Sequence, residues 1–62
     1  MDKYVIKNKE GNEKKFVVKD GVVRVYNLRG IGWIPLSHMG YMSVMQARVL
    51  WDEYINLGYE RA

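Results

Sequence analysis

The chain has no cysteine, and only one histidine and one proline in 62 residues. Without thiols there are no disulfides and no thiolate metal sites, and a single imidazole cannot supply a metal set that needs several ligands. A cysteine-free chain fits a reducing compartment. Apolar runs last only a few residues, far below the ~20 that span a bilayer. The first ten residues, MDKYVIKNKE, lack the apolar stretch of a signal peptide. The chain therefore reads as cytoplasmic and soluble, with no membrane partner.

Catalytic constellations are missing as well. No two carboxylates stand at a spacing suited to acid–base work. Ser37 adjoins His38, but sequence neighbours seldom present a nucleophile to its base, and no orienting acid is evident. The stretch Gly30 to Pro35 (GIGWIP) begins like a dinucleotide-binding turn, yet proline stands where its third glycine belongs and no helix opens there. A domain of this size also has little volume for a deep pocket. The expectation is a non-enzymatic protein without cofactor or metal.

What is present is enough for one folded domain over 1–62. The apolar fraction is 48%, ordinary for a globular chain. A chain this short buries only roughly 60% of its unfolded surface, so its core is small. Self-association is then one route to extra stability.

Three strands can be read from β-rich segments between turn signals. Tyr4–Lys7 runs into the turn cluster NKEGN at 8–12, Lys15–Lys19 follows, and Asp20-Gly21 leads to Val22–Tyr26. Asp-Gly is a strong two-residue hairpin signal, because a type I′ turn needs positive φ at both central residues. The segment 31–36 adds a fourth strand if Trp33 and Ile34 pair before Pro35 stops the ladder. The fold class is α+β: a three-stranded antiparallel meander, four-stranded if 31–36 joins, over about 3–36, packed on one C-terminal helix over about 43–57.

Ser43 and Gln46 have the capping-box spacing, and Gly58 stands where a helix ends in the left-handed region. At about 100° per residue, Val44, Ala47, Leu50, Trp51, Tyr54, Ile55 and Leu57 share one broad arc. The expected core is that arc with Ile6, Phe16, Val18, Val23 and Val25. Met45 and Val49 break the polar side of the helix, one turn apart. Either the connector or Tyr59 folds over them, or they form a homodimer contact.

Strand alternation divides the sheet into two faces. Tyr4, Ile6, Phe16, Val18, Val23 and Val25 form the core face. The outer face carries Lys3, Val5, Lys7, Lys15, Val17, Lys19, Val22, Arg24 and Tyr26, a mixture of cations, valines and one tyrosine. The formal charge of +3 is unevenly spread: residues 1–29 hold eight Lys and Arg against four acids. Surface lysines also serve solubility alone. Within the connector, Arg29, Trp33 and His38 are candidate contacts, with Trp33 expected to fill the open end of the core and His38 to be a loop residue or a pH-responsive contact.

Two binding functions remain. One is a protein-interaction or regulatory module, docking through the outer face with its valines as anchors and its lysines as a rim. The alternative is nucleic-acid binding, with the same cations on phosphates and Tyr26, joined by Trp33, as a stacking surface. The reading leans slightly to the protein partner, because only one aromatic residue falls clearly on that face.

Overall fold

A computed structural model of the chain describes residues 2–29, 32–35 and 40–62. Among these residues six strands and one helix follow in the order β1 (Asp2–Lys7), β2 (Glu13–Lys19), β3 (Val22–Arg29), β4 (Gly32–Pro35), β5 (Tyr41–Ser43), α1 (Val44–Asn56) and β6 (Glu60–Arg61). They form one antiparallel sheet in the order β4-β3-β2-β1-β6, with β5 also pairing β3. The helix lies against one face, which makes the fold α+β.

Local chemistry sets the meander. Asn8 holds the first turn through its side-chain oxygen, which accepts from the backbone N–H of Glu10 at 3.1 Å and of Asn12 at 2.9 Å. The second turn has Asp20 at φ 53° and Gly21 at φ 79°, the two positive values that a tight hairpin requires. Register follows: Tyr4 faces Phe16, which faces Val25, and Lys3 faces Val17, which faces Arg24.

Within the connector, residues 32–35 pair as a fourth strand and residues 41–43 add a fifth. β3 continues past Tyr26 to Arg29, and β4 returns along it with Leu28 opposite Trp33 and Tyr26 opposite Pro35. β5 then takes up the remainder of the same β3 edge, with Arg24 opposite Tyr41 and Val22 opposite Ser43. A proline can sit here because this is an edge strand.

The helix begins and ends as its caps dictate. Ser43 Oγ accepts from the Gln46 N–H at 3.1 Å, and Gln46 Oε1 accepts from the Ser43 N–H at 3.1 Å. At the other end Gly58 has φ 102°. Its N–H donates to the Ile55 carbonyl at 3.0 Å, and the Tyr59 N–H donates to the Tyr54 carbonyl at 3.1 Å. These are the two bonds of a Schellman cap. The cap turns the chain back so that Tyr59 stacks beside Tyr54, with ring centroids 5.0 Å apart, and β6 adds to the free edge of β1.

The buried core is Ile6, Phe16, Val23, Val25, Ala47 and Tyr59, with Val18, Met42, Leu50, Trp51 and Tyr54 packed against it. This corrects the expected helix arc. Val44, Ile55 and Leu57 are exposed, because contact with the sheet takes only the narrower stripe Ala47, Leu50, Trp51 and Tyr54. Tyr59 and Met42 supply the rest, one from the segment after the helix and one from β5. Tyr4 shares the inner face as expected but stands exposed at its lip.

Candidate functional site

Among the described residues no helix covers the outer face of the sheet. Partners in an antiparallel ladder point to the same side, so the register assembles this face across five strands. One row runs Tyr41, Arg24, Val17, Lys3; the next runs Pro35, Tyr26, Lys15, Val5; Leu28 and Trp33 form a third. Lys7 lies beside Glu13 and Glu60, and Lys19 beside Val22 and Ser43 at the hairpin end.

At the centre, rings and cations alternate. The Lys15 ammonium lies 4.7 Å from the Trp33 ring centroid and 5.2 Å from that of Tyr26. The Arg24 guanidinium lies 5.9 Å from Tyr26 and 4.9 Å from Tyr41. A continuous series Trp33–Lys15–Tyr26–Arg24–Tyr41 results. Both cations are within the ~6 Å range in which ring quadrupoles attract positive charge. Arg24 Nη1 also donates to the Tyr41 hydroxyl at a long 3.4 Å, while its Nε is buried with no partner. Tyr41 is 67% exposed; Lys15, Arg24, Tyr26 and Trp33 are half-buried.

Trp33 therefore does not fill the end of the core. Its register with Leu28 sends it to the outer face, and Tyr59 joins the core instead. The nine outer-face residues Lys3, Val5, Lys7, Lys15, Val17, Lys19, Val22, Arg24 and Tyr26 do share one surface. Tyr41, Leu28 and Pro35 join them unforeseen. Continuing the β3 alternation to residue 28 would have found Leu28. Tyr41 had no such signal, because a three-residue strand carries no periodicity.

The other singled-out residues lie apart. Arg29 ends β3 opposite Gly32, and His38 lies outside the described residues. Met45 and Val49 are exposed on α1, away from the sheet, at 79% and 61%. Tyr59 does not cover them, because its ring packs on Tyr54.

Among the described residues no three His, Cys, Asp or Glu side chains gather as a metal site. No helix in them is long and apolar enough to cross a membrane. No protein-family model, curated protein or solved structure matches the chain.

Proposed function

We propose that the protein binds single-stranded nucleic acid on the outer face of its sheet. The observation that carries this reading is the alternation of Trp33, Lys15, Tyr26, Arg24 and Tyr41 across that face. Unpaired bases stack on aromatic rings with little regard to sequence, at about 1–3 kcal/mol per base. Lys15 and Arg24, set between the rings, meet the phosphates that link stacked bases. Lys3, Lys7 and Lys19 extend the positive field around them. A broad sheet is poorly shaped for the grooves of a duplex, whereas sheets with two or three stacking aromatics suit splayed single strands.

Docking on an acidic protein would use the same cations, with Val5, Val17 and Val22 as anchors. Val5 and Val17 are half-buried among charged neighbours and Val22, 42% exposed, stands apart at the hairpin end, whereas the aromatic residues gather with the cations at the centre of the face. Aromatic rings with interleaved cations favour nucleotides over an aliphatic contact.

The test is anisotropy of labelled oligothymidylate and oligouridylate, each ten nucleotides long, over a salt series. Binding should be micromolar or tighter at low salt and weaken steeply as salt rises. A hairpin duplex should bind more weakly than either single strand. No binding at low salt, or binding unaffected by Trp33→Ala and Tyr26→Ala, would overturn the proposal.

A further inference from the structure

The inner face of the sheet is not fully covered by α1. Between the helix and the β1–β6 edge lies an open groove of about 390 Å³, within the range of small-ligand sites. Its floor is apolar. Trp51 stands edge-on to Phe16, with centroids 5.2 Å apart, and edge-on to Tyr4 at 6.4 Å. Tyr4 is 40% exposed at the lip, so the aromatic lining reaches solvent.

Two arginines from separate elements line the same groove. Arg48 precedes Trp51 by three residues and so shares its side of the helix. Arg61 pairs with Ile6, a core residue, and so belongs to the inner face. Against them stands one carboxylate, Asp2. The lining is thus net cationic around an aromatic floor. An apolar body placed there leaves water, and a carboxylate on that body meets guanidinium donors whose planar fork matches it.

From this juxtaposition we infer that the groove binds a small organic anion, an aromatic carboxylate about the size of two fused rings. The site is separate from the nucleic-acid surface, since Trp51 and Trp33 lie on opposite faces of the sheet. That separation makes the two tryptophans independent reporters.

The experiment titrates 2-naphthoate into the ¹⁵N-labelled full chain and follows both indole N–H resonances. The Trp51 resonance should shift saturably while that of Trp33 stays in place. The neutral isostere 2-naphthamide should bind at least about tenfold more weakly, and Arg48→Gln and Arg61→Gln should each weaken naphthoate by a similar factor, as expected for loss of a charge-assisted bond. Both arginines are exposed, and retained spectral dispersion confirms that the variants fold. Equal affinity for acid and amide, affinity unchanged in both variants, a shift of Trp33 instead of Trp51, or no shift at millimolar ligand would each overturn the inference.

Discussion

Lys15 is held by two rings at once, 5.2 Å from Tyr26 and 4.7 Å from Trp33. Its ammonium is thereby placed by rings and, among the described residues, by no carboxylate, which leaves it available to an anion. The two tryptophans should consequently behave in opposite ways when truncated. Trp33→Ala removes a stacking platform and should weaken oligonucleotide binding by about 1–3 kcal/mol, with little change in the thermal midpoint. Trp51→Ala opens the core beside Phe16 and should cost about 3 kcal/mol, the low end for aromatic truncation because the ring is half-buried. A domain this small has only about 3–5 kcal/mol in hand, so calorimetry should find that variant with a sharply lowered thermal midpoint and at most about 2 kcal/mol of stability left. Tyr54 gives a pH test. Burial pushes its phenol above the ordinary 10.0, with Tyr59 and Glu53 adding to the shift. Below pH 10 both folded and unfolded chains keep this proton. Above it, only the folded chain does, so the contribution is lost as pH rises through the folded value. Denaturant midpoints should therefore fall above about pH 10, and Tyr54→Phe should make that fall shallower.

At the scale of elements, α1 depends on its ends, since its outer side contributes nothing to the core. Ser43→Ala removes the acceptor for the Gln46 N–H and should cost about 1 kcal/mol. Gly58→Ala forces a side chain into φ 102° and should cost about as much, although no atom obstructs the new methyl group. Urea denaturation of the two variants measures both. These caps were legible in the sequence because their chemistry lies within a few residues, as were the Asp20-Gly21 hairpin and the alternation of β1 to β3. β5 and β6 were not. Each is two or three residues long and forms only because β3 and β1 offer unpaired edges, a tertiary fact that local propensity does not encode. The same gap hid part of the aromatic face. Trp33 and Tyr41 reach it through their pairing with Leu28 and Arg24, so the sequence offered the cations, Tyr26 and Trp33 as a stacking partner, but not Tyr41.

For the whole molecule, one thin core separates two different surfaces. The sheet's outer face gathers Lys3, Lys7, Lys15, Lys19 and Arg24 against Glu13 and Glu60, which flank only Lys7. The modest net charge of +3 thus understates the local field a strand of phosphates would meet. Counterion release makes the salt dependence a count of phosphates neutralised, with a slope of about −0.7 per contact on single strands. If all five cations engage, log K should fall against log salt with a slope of about −3.5. Changing Lys3 and Lys19 together to Gln should reduce the slope by about 1.4, since both lie outside the ring series and should leave the stacking intact. Trp33→Ala should do the reverse, lowering affinity at every salt concentration while the slope stays as it was. Parallel salt titrations of the wild type and these two variants separate the terms. A slope that changes with Trp33 but not with the lysines would mean that the rings, and not the peripheral charges, set the register of the strand on the sheet.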